Sequence, residues 1–453
     1  MRWKPLCMLQ GFACIAVFMF LLVFWLSSEA KSSQNLYKQL RQRRNFELLT
    51  VNERLFVEKN QNFVVPKQQV IPANSFVNEK VQTKVAVVPV QNVEEVPKAS
   101  NQREALLILT SMRTGSSFTG QFFNQHPDVF YIFEPLFPFH DSCKIAVEKK
   151  IEVLEGLINC NFTALKFSVD ESLYNAQQLL KVEQSASNLD HLKRRIKNLQ
   201  TCKQSTICFR QSTKALCGKD FCPHAPSCSK CKTVPTMTQI ERKCQEAKLV
   251  VIKSVRTCHV DWLSKTYSRT GIPVKILHLV RDPRATGLSR LTMHKGLGNA
   301  THEMLGNCQI DAKNMETRQA VAIKNDHWLT KRYMLARYED ILSNVAQFLD
   351  DVTEFLTRDS SVLKSASFNL THPEVTKWFK TNSRTSGASI YSTSRNISKQ
   401  ASKWRKTIQP SLAFSIQKAC EHMMSLFGYK PLKRPADLLD WSISLLSPLS
   451  KTV

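Results

Sequence analysis

Acidic residues are scarce in this sequence: 37 Asp and Glu stand against 63 Lys and Arg among 453 residues, which gives a net charge of +26. This excess favours an anionic partner, either nucleic acid, an acidic membrane or an acidic polymer such as a sulfated glycan. A basic stem lying near a membrane is the alternative explanation. The composition is otherwise globular, with 43% hydrophobic and 22% charged residues, and the chain is long enough for one large domain or two ordinary ones.

Charge is missing altogether from residues 6–26. A helix of that length crosses a bilayer of roughly 30 Å. The run is longer than a secretory h-region of about 7–15 residues, and no clear A-x-A cleavage site follows it, so we expect an uncleaved anchor. More basic residues follow this run than precede it. By the positive-inside count alone, the part of the chain after the run would therefore be cytoplasmic.

Cysteine decides the orientation, because 12 of the 14 lie between residues 143 and 420. In a membrane-anchored chain this usage is typical of an oxidising lumen. Four N-x-[S/T] sequons, at Asn161, Asn299, Asn369 and Asn396, are compatible with that side but no more numerous than chance supplies. We expect a single-pass type II protein, with residues 1–5 as a cytoplasmic tail and its bulk in the secretory lumen.

Residues 27–102 lack both glycine and cysteine. The first half of this segment is compatible with a basic helix. The second half contains four prolines and is compatible with an extended tether, so we predict that the segment is a lumenal stem. Its heptads are too poor to establish a dimerising helix, which leaves a homodimer open. From residue 103 to 453 the composition is that of a folded globular domain.

Buried apolar runs at 106–109, 249–252 and 274–280 predict strands, and amphipathic stretches at 172–199, 317–333 and 344–357 predict helices. Strands that alternate with helices indicate an α/β domain with a central, mostly parallel sheet flanked by helices. No internal repeat is found. In such sheets, ligands bind at the carboxyl ends of the strands.

The first candidate site follows the strand at 106–109 and lacks the lysine that a nucleotide-triphosphate P-loop requires. Gly115 allows a tight turn, after which backbone N–H groups and the start of a helix converge on an anion. Arg113 stands ahead of the glycine instead of a lysine after it. This pattern predicts a loop for a phosphate-like group other than an ordinary ATP γ-phosphate, and it argues strongly against a P-loop kinase.

A second anion clamp is predicted where the strand at 274–280 ends in Arg281. Pro283 suits the start of a helix, and Ser289 then lies two turns along on roughly the same face as Arg281. A guanidinium and a hydroxyl together bind phosphate. The alternative is an Arg281 that is merely paired with Asp282.

Two phosphate sites at strand ends without a Walker lysine resemble the sulfotransferase fold. From about 103 to 447 the chain is similar to the Golgi carbohydrate 6-O-sulfotransferases of galactose, N-acetylgalactosamine and N-acetylglucosamine, and most similar to the chondroitin 6-sulfotransferase and keratan sulfate galactose 6-sulfotransferase branch. The further segments that carry this resemblance are Phe133–Leu136, Lys253–Arg256, Arg337–Asp340, Tyr391–Thr393, Lys403–Arg405 and Phe427–Lys430.

The resemblance implies the sulfuryl donor 3′-phosphoadenosine 5′-phosphosulfate (PAPS) and an acceptor sugar on a glycosaminoglycan, N-glycan or O-glycan. It implies neither a metal nor a nucleic-acid partner. Arg281 and Ser289 would bind the 3′-phosphate of PAPS. The residues implied to bind its 5′-phosphosulfate are Met112, Arg113, Thr114, Gly115, Ser116, Ser117 and Phe118.

Sulfuryl transfer needs a base for the proton of the attacking sugar hydroxyl, a contribution of about 10²–10⁴ in rate. Glu134 is our candidate, with a structural carboxylate that caps a neighbouring helix as its alternative; His140 is the weaker candidate base. Lys253 and Arg256 are predicted to hold an acidic sugar or to stabilise the leaving bridging oxygen, the alternative being a surface ion pair. Trp404 is either a stacking platform in a C-terminal lid or a core residue.

Cysteines 217, 222, 228 and 231, with His224 among them, raise the question of zinc. Their spacing lacks the paired CxxC form of strong zinc sites, so we predict disulfides, whose connectivity the sequence leaves open. Two other functions remain as alternatives: an inactive glycan-binding membrane protein on a sulfotransferase scaffold, and transfer to N-acetylglucosamine. Because the chain is so basic, uronate-containing chondroitin ranks first among acceptors and keratan second.

Overall fold

The computed structural model describes residues 103–449, except for 140–141, 205–212, 218–220, 223–233, 273, 294–299, 323–327, 385–392 and 395. All of these residues belong to the compact unit Glu94–Val453, whereas the unit Met1–Val93 lies outside the described residues. The predicted tail, anchor and stem therefore also lie outside them. Within the described part of the chain, no helix combines the length and apolar character needed to cross a membrane.

A five-stranded sheet organises the domain. Its strands, in chain order, are β1 (Glu104–Thr110), β2 (Val129–Phe133), β3 (Leu249–Ser254), β4 (Val274–Val280) and β5 (Tyr333–Arg337). The spatial order is β2-β3-β1-β4-β5, and every neighbouring pair is parallel. The α/β class and the parallel sheet are thus confirmed, and all five strands end at the same edge.

Helices cover the sheet and connect its strands. They are α1 (Ser116–Gln125), α2 (Val147–Ile158), α3 (Thr163–Val182), α4 (Ala186–Gln204), α5 (Met237–Glu246), α6 (Trp262–Thr270), α7 (Pro283–Met293), α8 (Ala300–Ala322), α9 (Tyr338–Ser343), α10 (Val345–Thr357), α11 (Ser361–Ser365), α12 (Pro373–Asn382), α13 (Ile397–Gln400), α14 (Pro410–Ala419) and α15 (Glu421–Leu426).

The central strand β1 is buried on both faces, which explains its continuous apolar run. Leu107 and Leu109 pack into the cluster on one face of the sheet, whereas Leu106 and Ile108 pack into the cluster on the other face. Successive side chains of a strand point to opposite faces, so one apolar strand nucleates both halves of the core.

Two predicted helices were wrong in their extent. The stretch 172–199 is not one helix but parts of α3 and α4, because the Glu183 carboxylate accepts hydrogen bonds from the Ser185 amide at 2.8 Å and from Asn188 Nδ2 at 3.1 Å. Such a local side-chain bond offers the backbone an alternative to continuing the helix. The stretch 317–333 ends its helix at Ala322, and Tyr333 already begins β5. The helix predicted at 344–357 is confirmed as α10.

Disulfides join helices and loops around the sheet. Cys143–Cys258, Cys160–Cys244 and Cys308–Cys420 are bonded, and Cys217 and Cys222 are also in disulfides. Among the described residues, no group of His, Cys, Asp and Glu is arranged to hold a metal ion. The disulfide interpretation is therefore confirmed for Cys217 and Cys222, whereas His224, Cys228 and Cys231 lie outside the described residues.

Candidate active site

The loop between β1 and α1 turns through two residues of positive φ, Arg113 at 75° and Gly115 at 92°. Only glycine fits at position 115, since a Cβ there would lie 2.3 Å from the ring of Tyr338. No side chain caps the start of α1 at Gly115. The first amides of the helix therefore face the loop without a side-chain acceptor, the arrangement by which helix N-termini bind anions.

Hydroxyl groups hold this anion loop to the sheet. Thr110 Oγ1 donates to Leu279 O of β4 at 3.0 Å, and Thr114 Oγ1 donates to Ser111 O at 2.9 Å. The two threonine hydroxyls are themselves 2.5 Å apart. The loop is thereby positioned before any ligand binds, which reduces the entropy lost on binding.

The two predicted anion sites meet in the structure. Arg113 Nε donates to Ser289 Oγ of α7 at 3.0 Å, and Arg281 Nη1 donates to Arg113 O at 3.1 Å. The guanidinium of Arg281 lies 5.1 Å from the centroid of the Tyr338 ring. Its Nε is buried and has no hydrogen-bond partner among the described residues. A buried guanidinium with an unused donor is suited to an anionic oxygen.

Asp282 pairs with Arg284 rather than with Arg281, so the pairing weighed as the alternative for Arg281 is not found. Arg284 Nη2 and Nε donate to the two carboxylate oxygens of Asp282 at 2.7 and 3.0 Å, and Arg284 is fully buried. Its guanidinium also lies 5.2 Å from the ring centroid of Trp404, which is buried. Trp404 is therefore a core residue behind α7.

Glu339, at the start of α9, binds the backbone of the turn that follows β4. Its Oε1 accepts the Asp282 amide at 3.1 Å and its Oε2 accepts the Tyr429 hydroxyl at 3.0 Å. Burial, reinforced by the nearby charge of Asp282, raises the pKa of Glu339 to about 7, although Arg281 acts in the opposite direction. The carboxyl group thus titrates near neutral pH beside the second anion site.

Glu134 follows β2 in a left-handed conformation, φ 50°, and is buried together with Lys253, while Arg256 beside them is half-buried. Lys253 Nζ contacts Glu134 Oε1, while Oε2 accepts the Val255 amide at 3.2 Å and faces Arg256 Nη1 at 3.5 Å. Lys253 is 3% exposed, so this pair is not the surface ion pair weighed as its alternative. The Glu134 carboxylate therefore binds groups at the end of β3 and does not cap a helix.

The remaining predicted residues are arranged around the anion loop. Met112 O accepts a hydrogen bond from Arg290 Nε at 3.2 Å, Ser116 is buried and Ser117 half-buried at the start of α1. The ring of Phe118 is buried beneath the loop, 6.5 Å from the ring of Tyr338. His140 lies outside the described residues.

Tyr338 and Glu339 are site residues whose roles sequence reasoning missed. Their signal was present, because the segment Arg337–Asp340 carries part of the family resemblance and follows the apolar residues of β5. Strand β5 itself was not predicted: it is five residues long, and two of those residues are only half-buried. Without that strand, nothing placed Tyr338 against Gly115.

Comparison with known proteins found similar sequences that cover most of this chain. The family model described as "Sulfotransferase domain" matches residues 103–428. Carbohydrate sulfotransferase 3 of Tetronarce californica is 31% identical over 376 residues, which cover 78% of each chain. Carbohydrate sulfotransferase 1 of Danio rerio is 28% identical and covers 77% of this chain and 83% of the relative. Human carbohydrate sulfotransferase 3 is 29% identical, and the match covers 77% of this chain and 72% of the relative.

Proposed function

Because this chain belongs to the sulfotransferase family and to its carbohydrate sulfotransferases, we propose that it transfers a sulfuryl group from PAPS to the 6-hydroxyl of a sugar. The observation that carries the proposal is the convergence of Arg113, Arg281 and Ser289 at the carboxyl edge of the sheet. Neither a structural ion pair nor a glycan-binding surface requires an uncapped helix start and an unused buried guanidinium donor at the same point.

The residues at this edge fit the two anionic groups of PAPS. The loop Met112–Ser117 and the start of α1 would hold the 5′-phosphosulfate, and Arg281 with Ser289 the 3′-phosphate; Phe118 supports the loop from the core. Bound there, PAPS would supply an electrophilic sulfur with adenosine 3′,5′-bisphosphate (PAP) as its leaving group. The missing Walker lysine and the second clamp together explain a preference for PAPS over ATP.

Glu134 would take the proton of the attacking hydroxyl. Both of its oxygens are engaged, Oε1 by Lys253 and Oε2 by the Val255 amide. We infer that Lys253 leaves Oε1 when the site is filled and turns to the negative charge developing on the bridging oxygen. This movement of Lys253 would free the Glu134 carboxylate to act as the base and would neutralise the charge on the leaving group. Sulfuryl transfer depends on such charge stabilisation.

The acceptor we infer is an acidic glycan. The segment after Glu134 is held by α3 and α4, since Ser172 Oγ and Arg195 Nη2 both donate to Pro138 O, at 2.9 and 2.7 Å. Lys193 and Lys197 are exposed on α4. Exposed cations on the helix that holds the segment after Glu134 favour uronate-containing chondroitin over keratan, and both over glycans that end in N-acetylglucosamine.

We also propose that the protein resides in the Golgi membrane. The uncharged run 6–26 would be the anchor, and the disulfides observed in the described domain are compatible with an oxidising lumen. Protease protection of the full-length chain in sealed microsomes tests this. A domain digested without detergent would rule out the lumenal orientation.

The function is tested by transfer of labelled sulfate from PAPS by the full-length chain in detergent. The acceptors are desulfated chondroitin, desulfated keratan and N-acetylglucosamine-ended glycans, and the position of sulfate is read by mass spectrometry and NMR. We expect 6-O-sulfation, fastest on chondroitin. Glycan binding without sulfation of any acceptor would instead favour the inactive glycan-binding scaffold.

Two variants separate donor binding from chemistry. Arg281→Ala should abolish PAP binding, whereas Glu134→Gln should keep PAP binding and lose at least about 10²-fold in turnover. Calorimetric titration with PAP and the labelled-sulfate assay give the two readouts. An active Glu134→Gln enzyme would remove Glu134 from the role of base.

A further inference from the structure

The carboxyl group of Glu339 joins the ends of two neighbouring strands. Glu339 lies in the first turn of α9, directly after β5, and its Oε1 accepts the Asp282 amide at 3.1 Å. Asp282 is the residue after Arg281, at the end of β4. Tyr338, the residue before Glu339, has its ring centroid 5.1 Å from the Arg281 guanidinium. Glu339 is therefore covalently bonded to one residue beside Arg281 and hydrogen-bonded to another.

A further contact joins Glu339 to the C-terminal part of the domain. Its Oε2 accepts the Tyr429 hydroxyl at 3.0 Å, and the Tyr429 ring centroid lies 5.8 Å from the Arg337 guanidinium. Glu339 is 8% exposed, so its two oxygens depend on these protein donors rather than on water. Asp282 and Arg281 thus face the carboxyl group from β4, and Tyr429, backed by Arg337, faces it from the C-terminal side.

The charges around Glu339 differ in how well they are paired. Asp282 is held by two hydrogen bonds from the Arg284 side chain. The buried Nε of Arg281, in contrast, has no hydrogen-bond partner among the described residues. Burial and the charge of Asp282 raise the pKa of Glu339 to about 7, and the charge of Arg281 acts to lower it. Arg281 is therefore the cation that an ionised Glu339 and a bound phosphate would share.

A phosphate bound at Arg281 would change the protonation of Glu339. It would neutralise the cation that favours the Glu339 carboxylate, and its own negative charge would repel that carboxylate. Both effects favour the neutral carboxyl group, so Glu339 would hold a proton more tightly once the phosphate is bound. By reciprocity, a proton on Glu339 would strengthen phosphate binding by the same factor.

The neutral form of Glu339 can keep both of its contacts. The carbonyl oxygen of a carboxyl group still accepts the Asp282 amide. The Tyr429 hydroxyl can donate to a carboxylate oxygen or accept from a carboxyl O–H, because a phenol does both. Protonation therefore changes the charge between the two strand ends and leaves them joined.

We propose that Glu339 is a positioning residue of the 3′-phosphate clamp: its carboxyl group joins the ends of β4 and β5, and it takes up a proton from solvent when the 3′-phosphate binds at Arg281. Glu339 acts through Arg281 and does not itself contact the donor. The inference rests on the proposed function and deepens it, because it makes donor binding depend on pH. Since binding takes up a proton, affinity for the donor falls as the pH rises through neutrality.

Two variants separate the charge of Glu339 from its contacts. Glu339→Gln keeps an acceptor for the Asp282 amide and a polar group for Tyr429, but it cannot take up a proton. Glu339→Ala removes both contacts. Glu354→Gln, on the exposed surface of α10, is the control. All are compared with wild type as the full-length chain in detergent.

The first readout is calorimetric titration with PAP at pH 7.0 in two buffers with different enthalpies of ionisation, which gives the number of protons taken up. A carboxyl group that titrates near pH 7 is about half protonated there. The 3′-phosphate, with a second pKa of about 6, releases about a tenth of a proton when it binds as the dianion. We expect wild type and Glu354→Gln to take up a few tenths of a proton per PAP, and Glu339→Gln to show only the release.

The second readout is PAP affinity between pH 6.5 and 8.0. Wild-type affinity should fall several-fold over this range, whereas that of Glu339→Gln should stay constant or rise slightly. Glu339→Ala should bind PAP about two- to tenfold more weakly than Glu339→Gln at each pH, the effect of a lost hydrogen bond. The difference between Ala and Gln reports the contacts, and the pH dependence reports the charge.

Three outcomes overturn the inference: PAP binding to wild type without proton uptake, unchanged uptake in Glu339→Gln, and equal PAP affinity of the Ala and Gln variants. The second would mean that another group accepts the proton. Wild-type sulfation of desulfated chondroitin is scored separately. An active sulfotransferase that binds PAP without proton uptake contradicts only this inference, whereas a chain that binds no PAP contradicts the proposed function as well.

Discussion

Gly115 shows how a single residue sets the geometry of the anion loop. Its φ of 92° is costly for any residue with a Cβ, and the Tyr338 ring occupies the space that a Cβ would need. Tyr338 in turn lies under the Arg281 guanidinium. The two proposed phosphate clamps therefore share one aromatic ring, and their spacing depends on the absence of a side chain at position 115.

Gly115→Ala is expected to weaken PAP binding more than tenfold and to lower the melting temperature, because the loop must move away from Tyr338. Gly271→Ala is the matched control: Gly271 has φ 64° but no atom within 4 Å of a built Cβ. The Gly271→Ala variant has only the backbone strain of a left-handed alanine, about 1–2 kcal/mol, and should bind PAP normally. Calorimetry and thermal unfolding measure both effects, and normal PAP binding by Gly115→Ala would contradict this account of the loop.

Glu339 makes stability depend on pH near neutrality. Its pKa rises from 4.5 unfolded to about 7 folded, so the folded protein holds the proton more tightly. Its contribution to stability is therefore complete below pH 4.5 and falls as the pH rises towards about 7. The groups that face Glu339 are Asp282, Arg281 and Tyr429.

Glu339→Gln should therefore flatten the fall in unfolding free energy between pH 5.5 and 7.5. Glutamine keeps an acceptor for the Asp282 amide but cannot ionise. Glu354→Gln, on the exposed surface of α10, is the control and should leave the wild-type slope intact. Denaturant unfolding at the two pH values gives the slopes; equal slopes for wild type and Glu339→Gln would show that Glu339 does not titrate in this range.

At the scale of elements, the turn from β4 into α7 depends on a buried ion pair. Asp282 is 3% exposed and Arg284 fully buried, and two hydrogen bonds join their side chains. A buried pair contributes little net stability, but removing one partner strands the other charge. The pair thereby makes one conformation of the turn far more favourable than others, and this turn presents Arg281 to the site.

Arg284→Met should cost about 3–5 kcal/mol of unfolding free energy, because the Asp282 carboxylate remains buried without its partner. Arg358→Met, which breaks an exposed pair with Glu354 on α10, should change it little. Urea unfolding of the two variants makes the comparison. Similar small losses in both would mean that Asp282 is satisfied without Arg284.

The strands differ in how far the sequence predicts them, and the difference has a physical cause. Strands β1, β3 and β4 are buried throughout, so their uninterrupted apolar runs identify them. Strands β2 and β5 are the two edges of the sheet, five residues each and partly exposed, and their signal was too weak. Glu134 follows β2 and was nevertheless predicted as a site residue, whereas Tyr338 follows β5 and its contact with the anion loop was missed.

At the scale of the whole molecule, the excess of positive charge can attract an anionic acceptor over a distance that depends on the salt concentration. Exposed charges act over about 30 Å at 0.01 M salt but only about 8 Å at 0.15 M. A polyanionic acceptor is attracted by the entire basic domain, whereas a neutral sugar is held only by contacts in the site. Acceptor class is therefore visible in the salt dependence of the reaction.

Raising KCl from 10 to 150 mM should increase the KM for desulfated chondroitin several-fold more than the KM for a neutral galactose–N-acetylglucosamine oligosaccharide, at saturating PAPS. The comparison between the two acceptors cancels any effect of salt on PAPS binding. Equal salt dependence would argue against long-range attraction of an acidic acceptor.

The sequence by itself determined the α/β class, because strands and helices alternate along it. It also predicted the Arg113–Gly115 loop and the Arg281–Ser289 clamp, because each depends on residues close together in the chain at a strand end. It also singled out Glu134, Lys253 and Arg256. Tertiary structure alone decided that Arg113 reaches Ser289 and that Lys253 closes on Glu134. These contacts join residues more than a hundred positions apart. They exist only because the parallel sheet brings all its strand ends to one edge, a consequence of pairing that no local pattern contains.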